Sequence, residues 1–330
     1  MSTAQLPGAQ AGPGGGPATA PSTTPAGPGL RARLRPTGLV WLSWRQSRAT
    51  VRVFGGLMLL AVLALAVGQV LIRRTMGTTD MLGWQLADYY GRYATRAVFV
   101  LPVLVGVFVG APLLSQEHEH GTIRLARVQS VRPTRWLAAR LALPALLVLV
   151  SVGALAAVSS WIWYDLYADD LAQFSPYPGL TYPALCLAPV AWSLYALALG
   201  AAIGHFLRRT LLAAPVTGAA VVLSQLLARA TRVHFVPLAD TVRPVWGPRN
   251  SNTDLGWVVQ HGTVLNDGSR ITDDACPRLW QECAASDLRW TSSHPVSHLI
   301  PMQLVEAALL ALVAAAVLYP TFRRVARTAL

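Results

Sequence analysis

Ala111-Pro-Leu-Leu-Ser-Gln-Glu117-His-Glu119-His-Gly121-Thr122-Ile-Arg-Leu-Ala-Arg-Val-Gln-Ser-Val-Arg132-Pro133-Thr-Arg135 decides how the rest of the chain is read. One uncharged apolar run ends as this stretch begins, and another follows it. Glu117 and Glu119 stand where the first run stops. Gly121 permits a bend, and Thr122 suits the N-cap of a short amphipathic helix ending near Gln129. The pattern predicts a small helix held between two membrane spans and offered to a partner on the cytoplasmic side.

Composition agrees with a membrane setting. Hydrophobic residues make up 53% of the 330 and charged residues 13%, against about a quarter in a soluble domain. The net charge of +12 comes from arginine, because the chain has no lysine. A Walker A phosphate loop and a Schiff-base site both need lysine, so this chain hydrolyses no ATP through a P-loop of its own. The arginines are scattered between apolar runs, which fits the inner side of membrane spans better than nucleic acid.

Six apolar runs are long enough, or nearly so, to cross about 30 Å of hydrocarbon. They cover residues 53–72, 97–114, 141–164, 182–207, 210–227 and 299–322, within a six-span domain of residues 51–328. The expected fold is therefore an all-α membrane protein. With the N-terminus inside, the inner segments hold sixteen arginines and the two short outer loops hold four, which predicts N-in and C-in. Arg73, Arg74, Arg92 and Arg96 make the first outer loop the poorest fit.

Residues 1–36 are rich in Pro, Gly and Ala and read as a disordered tail, not a signal peptide. Residues 37–50 read as an interfacial helix, with Trp41 and Trp44 beside Arg45 in the lipid headgroup layer. Residues 228–298 form a large extracytoplasmic loop, in which Asn266-Asp-Gly-Ser269 suits a hairpin turn. Cys276 and Cys283 lie in that loop, where thiols can oxidise, and a disulfide or two free thiols both fit the sequence.

The chemistry-bearing residues are few. Glu117 and Glu119, two apart, point to different sides of a helix, which suits anchoring to arginines better than acid–base catalysis. His118 and His120 have the wrong spacing for two metal ligands on one helix face and read as solvated histidines. An integral metalloprotease using His118, Glu119, His120 and His205 is the alternative enzyme reading. Glu306 lies about two turns inside the sixth span. It either lines a pathway or pairs with a polar group on another span, and Gln69, Gln225 and Gln303 are the candidates to join it. No catalytic constellation or nucleic-acid motif is present, which argues against an enzyme.

The pattern Glu117-x-Glu119-x-Gly121-Thr122 past the second span, followed by Val131-Arg-Pro-Thr-Arg135 and a third span, resembles the permease subunits of ABC type-2 exporters. Trp41-Leu-Ser-Trp44-Arg-Gln before the first span is similar to their actinobacterial members, as is Pro301-Met-Gln303-Leu-Val-Glu306 after the long loop. The resemblance implies a cell-membrane half-transporter that pairs with a second permease, as a homodimer or heterodimer. It implies separate ATPase subunits that bind ATP and Mg, with no cofactor on this chain. Gly121–Gln129 would be the coupling helix, with Glu117, Glu119, Gly121, Thr122, Arg124 and Arg127 as coupling residues. Trp41–Arg48 would be the connecting helix. A non-transporting membrane anchor or immunity protein is the remaining alternative.

Overall fold

The computed structural model describes residues 39–76, 85, 96–121, 133–168, 181–244, 256–278, 283 and 286–327. The tail, Thr122, Arg124, Arg127 and the rest of the expected coupling helix lie outside the described residues. So do the side chains of Trp41, Trp44 and Arg45.

Six helices are long and apolar enough to cross a membrane. They are α1 (Leu39–Met76), α2 (Arg96–Glu119), α3 (Pro133–Ala168), α4 (Ala188–Leu207), α5 (Thr210–Thr231) and α6 (Leu299–Arg327). The all-α membrane architecture stands. α1 runs unbroken for 38 residues, so the expected interfacial helix is its N-terminal part and not a separate element. No proline or glycine stands between Leu39 and Phe54 to turn the chain.

The fourth span starts later than the apolar run suggests, at Ala188 instead of residue 182. Tyr182–Ala184 makes one 3-10 turn, and Cys186 takes a left-handed φ of 51°. Pro183 and Pro189 cannot donate to a preceding helical turn, so the α-helix begins only at Ala188, just before the second of them. Conversely, the third span gains eight residues at its start, because Pro133 sits well at a helix N-terminus.

α4 is the most enclosed helix and α1 the least. The main core joins Val98, Leu101, Val105 and Val109 of α2 to Val148, Val152 and Leu155 of α3 and Leu197 of α4. Phe54 and Met58 of α1 pack on its edge. α2 widens to a π-turn at Gly106–Gly110, where the Ala111 N–H reaches back to the Gly106 carbonyl. Pro112 follows directly; it has no N–H to offer its own turn, and the extra residue absorbs that break. This stretch meets α4 backbone to backbone. A Cβ on Gly200 would stand 2.6 Å from the Gly106 carbonyl oxygen, so only glycine allows the approach. Outward faces carry Leu57, Leu60 and Leu63 of α1, Leu211 and Leu223 of α5, and Leu304 and Leu312 of α6, as acyl chains require.

Between α5 and α6 the chain builds an antiparallel sheet, which composition did not announce beyond its one turn. β1 (Ala239–Pro244), β2 (Trp257–Val264), β3 (Arg270–Thr272) and β4 (Leu288–His294) are ordered β1-β4-β2-β3. The expected hairpin joins β2 to β3. Gly268 takes φ of 84° there, and Asp267 accepts the Ser269 N–H at 2.8 Å. Cys276 and Cys283 are disulfide-bonded, their Cα atoms 5.9 Å apart. β4 leads through a 3-10 turn, Val296–His298, straight into α6.

Candidate functional site

The last turn of α2 touches three other helices through three consecutive residues. Glu117 is buried, and its Oε1 lies 2.9 Å from a terminal guanidinium nitrogen of Arg140 on α3. His118 Nε2 lies 3.1 Å from His205 Nδ1 on α4. Glu119 accepts the Thr210 backbone N–H at 2.8 Å and the Thr210 hydroxyl at 3.0 Å, at the start of α5. The 3.6-residue period explains the fan, since neighbours on a helix diverge by about 100°.

The two acids therefore do separate work. Glu117 makes the arginine pair expected of it. Among the described residues Glu119 shows no such ion pair; it caps α5 from outside. Arg209, at the N-cap of α5, supplies no side-chain cap, so the first N–H groups need a foreign acceptor. A carboxylate there also meets the positive end of the helix dipole. Ser115 Oγ, 2.8 Å from Thr210 Oγ1, adds a second contact between α2 and α5. α2 then stops at Gly121, whose φ of 66° is the left-handed conformation that closes helices.

The histidines differ from the solvated pair expected. His118 is partly buried against His205, because α2 and α4 approach so closely. His120 is exposed, and its Nδ1 lies 2.8 Å from the Gln116 carbonyl. Glu119 faces α5, away from the imidazole pair. Among the described residues no group of three His, Cys, Asp or Glu side chains is placed to hold a metal.

At the opposite end of the bundle, Glu306 is a buried interhelical partner. Its Oε1 lies 2.6 Å from Arg232 and accepts the Trp192 indole N–H at 3.0 Å. Arg232 follows α5 directly, and its guanidinium lies 4.0 Å from the centre of the Tyr182 ring. The three glutamines do not join Glu306. Gln69 donates to Asp165 on α3, and Gln225 donates to the Phe99 carbonyl at 3.3 Å. Gln303 instead holds the turn before α4. Its carbonyl accepts the Leu187 and Ala188 N–H groups at 2.9 and 3.3 Å, and its amide donates to the Tyr182 and Leu185 carbonyls at 3.1 and 3.0 Å.

Two partners escaped the sequence reading. Arg232 falls within the expected long loop; its signal is an arginine just past one apolar run while another run carries a lone acid. Asp165 explains the badly placed Arg73, which it meets at 2.6 Å. In the sheet, burial pushes the His294 pKa down, and its Nε2 lies 3.2 Å from the Val233 carbonyl. Hydrogen bonds from Ser292 and Arg270 hold the Asp240 carboxyl below its ordinary range.

No curated protein and no solved structure matches the chain. Residues 84–232 match the family model described as ABC-2 membrane transporter related. The matched segment includes α2 to α5, and with them the fan of contacts from Glu117, His118 and Glu119. The family match over these helices, in a chain with six apolar spans, supports an ABC-2-type permease.

Proposed function

We propose that this chain is the membrane-spanning subunit of an ATP-driven exporter in the cell membrane, worked by a separate ATPase subunit. Proteins of the family normally act with such a partner. ATP and Mg bind the partner; this chain has no lysine for a phosphate loop. The arginine-rich end, with Glu117, Glu119, Arg208 and Arg324, faces the cytoplasm, and the sheet lies outside.

The observation that carries this reading is the three-way grip of residues 117–119. A push on the segment between Gly121 and Pro133 reaches α3, α4 and α5 together, through an ion pair, an imidazole contact and a cap. Coupling needs such a short rigid link between a nucleotide-driven motor and the spans, because a soft one would dissipate the displacement. Arg124 and Arg127 would meet the ATPase surface, Thr122 would cap the coupling helix, and Trp41, Trp44 and Arg45 would lie along the membrane. A second permease, of the same or another kind, completes the pathway.

Affinity purification of the tagged chain from native membranes tests this. An ABC ATPase chain is expected to co-elute, and nucleotide is expected to stabilise the complex. Glu117→Ala with Glu119→Ala is expected to retain the ATPase and lose nucleotide-dependent export. Full export by that double variant, or labelling of residues 123–129 by a probe added outside intact cells, overturns the reading.

A further inference from the structure

Four elements bring an acid, a base and aromatic rings together just inside the sheet end of the bundle. Trp192 is on the first turns of α4, Arg232 directly follows α5, Glu306 is on the second turn or so of α6, and Tyr182 is on the turn before α4. All four are at least nine-tenths buried. Tyr195 crosses Trp192 edge-on, with ring centres 5.7 Å apart.

The carboxylate is used unevenly. Oε1 of Glu306 takes both the Arg232 and the Trp192 donors, while the buried Oε2 has no hydrogen-bond partner among the described residues. Among the described residues the buried Nε of Arg232 likewise has no partner. A carboxylate with spare acceptor capacity, held by an indole N–H and binding a cation that rests on a tyrosine face, has the chemistry that recognises an organic cation. Arg232 already occupies that place, with its guanidinium on Tyr182 and its terminal nitrogen on Glu306.

We propose that Glu306, Trp192 and Tyr182 form a binding site for a hydrophobic organic cation, and that Arg232 fills it as a tethered stand-in. The movable member is Arg232, because it stands on a 3-10 turn leading out of the bundle, whereas Glu306 is inside a long helix. When Arg232 swings away, the Trp192 indole still orients the carboxylate, and the ring faces still attract positive charge. As a site for cargo this rests on the transport reading above; as a binding site it does not.

The test uses the purified full chain in neutral-detergent micelles, without nucleotide or ATPase, so its failure is separable from failure of ATPase docking. The probe is tetraphenylphosphonium, followed by equilibrium dialysis, with tetraphenylborate as a control of similar shape and opposite charge. Arg232→Ala is expected to bind the phosphonium at least tenfold more tightly than the unaltered chain. Arg232→Ala with Glu306→Gln is expected to lose that gain, and tetraphenylborate is expected to show none. Arg232→Lys retains the charge and guards against misfolding of the alanine variant. It is expected to give a several-fold gain, since an ammonium lacks the planar fork that fits the ring and carboxylate. No gain in either variant, a gain that survives Glu306→Gln, or an equal gain for tetraphenylborate overturns the proposal.

Discussion

Glu117→Ala is the sharpest perturbation of the three-way grip. The Glu117 and Arg140 side chains are 9% and 14% exposed, and their charged atoms approach to 2.9 Å. An exposed pair at that distance contributes about 0–1 kcal/mol. A buried pair behaves differently, because removing one member strands the other charge away from water, at a cost of about 3–5 kcal/mol. Replacing both members by apolar residues of similar volume leaves neither charge stranded, so Glu117→Met with Arg140→Leu should cost less than either single replacement. Glu117→Met, Arg140→Leu and the two together form a cycle whose coupling should exceed about 2 kcal/mol. Reversible unfolding in mixed micelles, followed by far-ultraviolet circular dichroism, measures all three. If Glu117→Ala costs under about 1 kcal/mol, or the double variant is as unstable as the singles combined, the burial argument is wrong.

Gln303→Leu removes an acceptor for two N–H groups and a donor to two carbonyls at the turn before α4; the same unfolding assay should show a loss of about 2–4 kcal/mol. Replacing Cys276 and Cys283 by serine opens a short loop, and loop-closure entropy predicts about 2–3 kcal/mol less stability for the sheet, read as faster amide exchange in β2. Acid should weaken the sheet. His294 is held neutral by burial, so the unfolded sheet takes up a proton below pH of about 6.5 before the folded one does, and stability falls from there downward. Asp240 extends the loss below pH of about 4, because its hydrogen-bonded carboxylate protonates later than in the unfolded chain. Amide exchange corrected for intrinsic rate should therefore quicken in β2 and β4 between pH 7 and 5, and unchanged protection would refute the assignment of His294.

The six spans were legible because lipid leaves no choice: an apolar run of sufficient length must become a helix. Their ends were less so. The start of α4 depends on what Pro183 and Pro189 withhold, and the turn before it is held by Gln303, more than a hundred residues away. The divergence of Glu117 and Glu119 follows from helical period, yet their partners do not. Arg140 lies on the next helix, whereas Thr210 becomes a partner only because α5 begins where α2 ends. The sheet was illegible apart from its turn, since its strands alternate weakly and pair out of chain order. Arg232 was obscured by its position just beyond an apolar run, where arginine is ordinarily solvated.

The glycine contact between α2 and α4 limits how the bundle can change shape. With backbone against backbone at Gly106 and Gly200, neither helix can slide a turn along the other without driving a side chain into a carbonyl. The two must travel as one beam. Any opening has to occur along seams filled by larger, more forgiving side chains, such as the margin where Phe54 and Met58 of α1 rest against the core.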